Sequence, residues 1–216
     1  MLPGAPPRYQ EWLDFIFGRF ERDAIDPWAM DWEFEASPSE IADLFIYTMA
    51  NCGRDLAKFS DAQVATGLNA LLFGTLSNIP HNLMDDSVSE AQKLAILRSF
   101  QPLYADLLAR RSPPVLGHCN ESNGNPLEYI TYMLWDVTAL TEMRKRSPEQ
   151  SEALYAVLKN ALSLPNEACI ESALHGLGHV PSKEAKSIID DWLDELPQVR
   201  PALLDYARAA RTGMIL

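Results

Sequence analysis

Four serine-led starts punctuate this chain: Ser37-Pro38-Ser39-Glu40, Ser60-Asp61-Ala62-Gln63, Ser87-Val88-Ser89-Glu90 and Ser147-Pro148-Glu149-Gln150. In each, a serine hydroxyl can accept from the backbone three residues on, and a Glu or Gln side chain can reach back. Pro38 and Pro148 stand where a helix begins and where a missing N–H costs nothing. Apolar residues then recur at helical spacing. A first stripe, Trp12, Phe15, Ile16, Arg19 and Phe20, lies within Tyr9 to Arg22. The second helix uses Ile41, Leu44, Phe45, Thr48 and Met49, with Gly53 placed to end it. The third runs from Ser60 to about Leu76, and the fourth through Leu94, Leu97, Tyr104 and Leu108, with Pro102 as a kink. Leu127 to Arg146 follows, and then the Ser147 helix, which ends before Pro165. Asn166 to about Gly178, Ser182 to Leu196 and Pro201 to about Thr212 complete the series. No alternating strand of useful length interrupts it. The expected fold is all-α: an irregular helical bundle or HEAT-like α-α stack of about nine helices. It is read as a single domain over 1–216, with 111–126 the place where a subdivision would fall.

The 216 residues can bury one sizeable core, and 47% hydrophobic with 22% charged residues excludes disorder as the overall description. Lys and Arg number 18 against 30 Asp and Glu, a formal net charge of -12. Such a surface repels phosphate backbones and anionic membranes, so no nucleic-acid and no membrane partner is expected, whereas a basic protein is. No basic leader with an apolar run opens the chain, and no stretch approaches the ~18 apolar residues of a membrane span. Cys52, Cys119 and Cys169 are too few and too scattered for a disulfide framework, which suggests buried free thiols and a cytoplasmic location. One disulfide stays open.

Two segments hold residues with chemical potential. Glu171-Ser172-Ala173-Leu174-His175-Gly176-Leu177-Gly178-His179 puts a carboxylate and two imidazoles at i, i+4 and i+8, a face able to bind zinc if the helix is unbroken. Gly176, Gly178 and Pro181 argue that the helix stops first, which would put His179 out of phase and make His175 structural. Arg111 to Pro126 is rich in Pro, Gly and Asn and is longer than most connections, so it is read as functional or mobile. It holds His118-Cys119, a candidate thiol–imidazole pair, although neighbouring side chains diverge. His81 is a further candidate ligand if folding brings it near. Glu128, Asp136 and Glu142 are candidate acids with nothing in the sequence to pair them. No metal or other cofactor is expected.

From Glu21 to Asp43 eight acids face one base, Arg22. Trp28, Trp32 and Phe34 stand among them. These aromatics either fold back on the core or lie on a binding face with acids steering a basic partner. Asp23, Asp26, Trp28, Asp31, Trp32, Glu33 and Glu35 are the expected partner-binding residues. A second acidic run, Asp190-Asp191-Trp192-Leu193-Asp194-Glu195, reads as the exposed face of a helix with Trp192 inward.

Val64 to Leu71 can be laid on Ile170 to Leu177, with small residues at matching positions that let helices approach closely. Ala173-Leu174-His175-Gly176-Leu177-Gly178 resembles the second helix of a HEAT-type repeat. Tyr132-Met133-Leu134-Trp135-Asp136, joined to Glu171-Ser172-Ala173-Leu174-His175-Gly176-Leu177-Gly178-His179, resembles blocks of an uncharacterised bacterial all-α family. That resemblance implies an all-α fold and brings no catalytic residue. In size, charge and helix content the chain is similar to small acidic immunity proteins that neutralise bacterial toxins. The expected function is therefore non-enzymatic: an acidic binding protein that covers a basic toxin. The alternatives are a metal-dependent enzyme using Glu171, His175 and His179, or a HEAT-like interaction scaffold.

Overall fold

The computed structural model describes residues 4–18, 33–74, 76–136, 138, 147–180, 182–195 and 198–215. The fold is all-α. Its helices are α1 Tyr9–Phe17, α2 Pro38–Ala50, α3 Cys52–Asp55, α4 Asp61–Leu72, α5 Ile79–Asn82, α6 Glu90–Arg98 and α7 Phe100–Pro102. A π-helical segment, Leu103–Leu108, leads into α8 Ala109–Arg111, and a 3-10 turn spans Gly117–Cys119. Then come α9 Leu127–Tyr132, α10 Pro148–Ala161, α11 Glu167–Gly178, α12 Lys183–Asp194 and α13 Pro201–Arg211. Among the described residues the only β pairing is an isolated antiparallel bridge between Phe73 and Thr138.

The expected caps form at three of four places. Ser37 accepts from Glu40 N, Ser147 from Gln150 N, and Ser60 with Gln63 makes a reciprocal box. The fourth cap is Ser89, two residues later than Ser87, and it closes its box with Gln92. Val88, just before it, is buried, while the Ser87 hydroxyl donates to Asp85 at 2.6 Å. The single helix expected through Leu108 is divided. Pro102 has no N–H to donate, and beyond it the bonding widens into the π segment, where Ala109 N reaches back to Tyr104 O. Gly53 does not end α2. It lies inside α3, where an added Cβ would meet Asp106 Cβ at 2.9 Å, so its role is close approach to the π segment. The helix expected from Leu127 to Arg146 stops at Tyr132. Residues 133–136 turn and carry Trp135 into the core, where its indole N–H donates to the Tyr104 hydroxyl at 2.6 Å. Residues 139–146 lie outside the described part.

Apolar residues from Tyr9 to Ala210 form one continuous core. In the N-terminal half Trp12 is fully buried and donates to Thr48 Oγ1 at 3.0 Å, which fixes α1 on α2. In the C-terminal half α11 is the centre. Every residue from Ala168 to Gly178 is buried, and α9, α10, α12 and α13 pack around it. The helix ends at Gly178, as expected, while Gly176 lies within it. A Cβ at Gly176 would lie 2.8 Å from the Trp135 indole, and one at Gly178 would lie 2.7 Å from Ile215 Cδ1. Both positions are stripped of side chain so that neighbours can approach.

Gly176→Ala separates these two accounts. Helix propensity alone favours alanine by about 1 kcal/mol. Crowding against the rigid, buried Trp135 should reverse the sign, and urea denaturation should show a net loss of about 1–3 kcal/mol.

Candidate functional site

A helix buried on all sides has no solvated face, so any polar side chain on α11 must find a protein partner. Ser172, Glu171 and His175 are each almost wholly buried, and each finds one. The Ser172 hydroxyl pairs with the Tyr104 hydroxyl at 2.8 Å. Glu171 accepts from the backbone N–H of Gly117 at 2.8 Å and of His118 at 3.0 Å, and its Oε1 also meets His118 Nδ1. One buried carboxylate thus closes the tip of the 111–126 loop on the central helix.

That loop is tied down along its length. Arg111 donates to Asp61 at 2.8 Å and to the carbonyls of Leu56 and Phe59. Asn166 Nδ2 donates to Ser112 O at 2.8 Å, and Glu121 accepts from Leu116 N at 2.8 Å and from Arg200 at 2.9 Å. Glu128 accepts from the Ser122 hydroxyl and from the backbone of Asn123, which accounts for that acid structurally. Glu142 lies outside the described residues.

The expectation that His118 and Cys119 diverge is corrected. The 3-10 turn brings Cys119 Sγ to 3.2 Å from His118 Nε2. With Nδ1–H directed at Glu171, Nε2 is the acceptor, and Cys119, His118 and Glu171 form a thiol–imidazole–carboxylate relay. Acyl transfer also needs N–H donors free to hold an oxyanion. All five amides from Gly117 to Glu121 are already bonded, two to Glu171 and three to carbonyls of Leu116 and Gly117. The Cys119 thiol is raised above its usual pKa by partial desolvation and by the carboxylates of Glu121 and Glu171. The occupied amides oppose acyl transfer here, and the raised pKa opposes a standing thiolate. Cys52 and Cys169 are buried free thiols, each pushed up to about 12 by burial.

His175 and His179 stay in helical phase, against expectation. His179 caps α11 in right-handed helical conformation, and its N–H still donates to His175 O. The two Nε2 atoms lie 2.9 Å apart, and Asp136 Oδ1 lies 3.2 Å from His179 Nε2. The three side chains offer ligand atoms all within 4.8 Å of one another. Glu171, expected to complete this set, is held by the loop, one turn away, and Asp136 takes its place. On its far side His175 Nδ1 meets the Tyr206 hydroxyl at 2.5 Å, and that hydroxyl is also hydrogen bonded to Tyr132. One arrangement that satisfies all of them has His175 Nδ1–H donating to Tyr206 and Tyr206 donating onward to Tyr132. Burial, with His179 alongside, lowers the His175 pKa to about 4, so its ring is neutral at neutral pH. His118 stacks on the Tyr206 ring at 4.4 Å, which joins the two polar groups into one layer against α11. His81 is not in it; it belongs to α5, and its ring lies against Gly74.

Sequence reasoning missed Tyr206, which sits in an ordinary α13 stripe with Leu203, Ala207 and Ala210. Asp136 was legible only as an unpaired acid, because its partner lies forty residues on and is met only if the preceding helix ends at Tyr132.

Of the expected partner-binding residues, Asp23, Asp26, Trp28, Asp31 and Trp32 lie outside the described part. Glu33 and Glu35 are exposed. Phe34 between them folds back: it is buried edge-on against Trp12 at 5.1 Å and Phe15 at 5.3 Å, with the Arg8 guanidinium 4.4 Å from its centre. A separate groove of about 580 Å³ runs between α10 and α12. Tyr155, Ala156 and Ile188 line it with Glu152, Glu184 and Asp191, against a single base, Lys159. Trp192 is inward, as expected, and donates to Leu162 O at 3.1 Å.

Truncating the carboxylate that holds the loop should be severe. Glu171→Ala strands two backbone N–H groups and the His118 ring, at about 1–3 kcal/mol for each donor left buried without a partner. Glu171→Gln keeps an acceptor oxygen and should cost less, and urea unfolding of the two variants ranks them. Comparison with protein-family models, with curated proteins and with solved structures finds no match to this chain.

Proposed function

We propose that this is an acidic, non-enzymatic binding protein that takes a basic protein partner, an immunity-type inhibitor of a basic bacterial toxin. The observation that carries the reading is the α10–α12 groove, where an apolar floor of Tyr155, Ala156 and Ile188 is rimmed by three acids and one base. An apolar floor supplies contact energy and an acidic rim steers a cationic partner, the division of labour found in protein interfaces. The net charge of -12 extends that field over the whole molecule. Exposed Glu33 and Glu35 add to it at the other end of the chain. What supports the toxin-directed form is the likeness to immunity proteins in size, charge and helix content.

In this reading a basic amphipathic helix or hairpin of the partner lies along the groove. The partner is obtained by capture on the immobilised full chain from an extract of the source cell at low salt, and the kinetics are then measured with both proteins purified. Association should be fast at low salt and slow steeply as salt rises, since the Debye length shrinks to about 8 Å at physiological strength. Reversing Glu152, Glu184 and Asp191 to Lys should slow association at least about tenfold, with little change in dissociation. Tyr155→Ala should act mainly on dissociation, as loss of an anchor does. Reversing Asp23, Asp26, Asp31, Glu33 and Glu35 tests whether the N-terminal acids share the steering. Association that ignores both salt and the groove reversals would sink the proposal.

A further inference from the structure

The side chains of Asp136, His175 and His179 bring three potential ligand atoms, one carboxylate oxygen and two imidazole Nε2, within 4.8 Å of one another. We propose that these three residues form a binding site for a divalent transition metal ion of the zinc class, at the junction of the α9 turn and the C-terminal end of α11. The proposal is independent of the partner-binding function.

The geometry comes first. Three ligand atoms within 4.8 Å, two of them 2.9 Å apart and the third 3.2 Å from one of these, approximate one face of a coordination tetrahedron. With metal–ligand bonds of about 2.0–2.2 Å, the edges of such a tetrahedron are about 3.3 Å, so the two short edges need to spread by only tenths of an ångström, and the third, between His175 and Asp136, lies within 4.8 Å. The donor set, two imidazoles and a carboxylate, is the borderline set that suits zinc rather than calcium or magnesium, which take oxygen.

The second observation is the support behind the ligands. His175 is fully buried, and its Nδ1 is engaged by the Tyr206 hydroxyl at 2.5 Å, which in turn bonds Tyr132. With the proton on Nδ1 and donated to Tyr206, the Nε2 lone pair is aimed into the cluster. A metal-ligating histidine is held in this way from its other ring nitrogen. Without a cation the two Nε2 atoms can share only one hydrogen, and a second acceptor, Asp136 Oδ1, competes for it. A cation satisfies all three at once. His179 and Asp136 are each about one third exposed, which gives an ion an entry path and leaves the outer coordination position to water or an exogenous ligand.

The test uses the full chain, stripped with a chelator and titrated with zinc chloride by calorimetry, with cobalt as a spectroscopic substitute. One equivalent should bind, and cobalt should give the intense visible bands of a four-coordinate site. His179→Ala and Asp136→Asn carry the test because both positions are partly exposed and should leave the circular dichroism spectrum unchanged. Each should weaken zinc binding by more than tenfold, and Tyr206→Phe by about 10–100-fold through loss of the supporting hydrogen bond. Zinc should raise the melting temperature of the native protein and not that of Asp136→Asn. No saturable binding, or one-equivalent binding that both exposed-site variants retain unchanged, would overturn the proposal.

Discussion

The burial of α11 on every side governs the C-terminal half of this protein. A helix with no solvated face buries a great deal of apolar surface, yet it also takes Glu171, Ser172 and His175 out of water. Unpartnered, each would cost about 1–3 kcal/mol, and more for a charge. Each is therefore met by a group from a different element: the 111–126 loop, the π segment and α13. The neighbours are positioned as much by these polar demands as by apolar packing. Glu171 explains why a sixteen-residue stretch rich in Pro, Gly and Asn has a defined course, since its tip closes on a buried carboxylate.

Close approach is the second consequence. Gly176 and Gly178 remove side chains where Trp135 and Ile215 must touch the helix. The indole of Trp135 reaches Tyr104, which reaches Ser172, so the α9 turn, the π segment and α11 meet through one chain of hydrogen bonds. The same turn delivers Asp136 to the two histidines. The polar layer and the apolar packing are thus one construction, and the outer groove between α10 and α12 is built from helices whose inner faces complete the core.

Much of this was legible in the sequence because it is local. Serine caps, proline starts and apolar stripes act within a few residues, so Ser37, Ser60 and Ser147 begin their helices where the sequence places them, and the all-α fold follows. The i, i+4, i+8 spacing of Glu171, His175 and His179 was visible as a single face. Misread were the positions where one residue serves two opposed purposes. Glycine both weakens a helix and admits a neighbour, and only the presence of Trp135 shows which purpose applies at 176. Gly53 was misread for the same reason, with Asp106 as the neighbour.

The sequence by itself determined the helical class, most helix starts, the acidic charge and the residue types able to bind metal or a basic partner. Tertiary structure decided which of them meet. Glu171 is assigned to the loop and Asp136 to the histidines, although the helical spacing favours the opposite choice. Cys119 is brought to His118 by a 3-10 turn that no periodicity announces. Tyr206 is drawn from an ordinary α13 stripe to support His175. Pairings across forty or fifty residues depend on where a helix stops and how two helices cross. Those are fixed by the packing of the whole core, which a local pattern of residues does not encode.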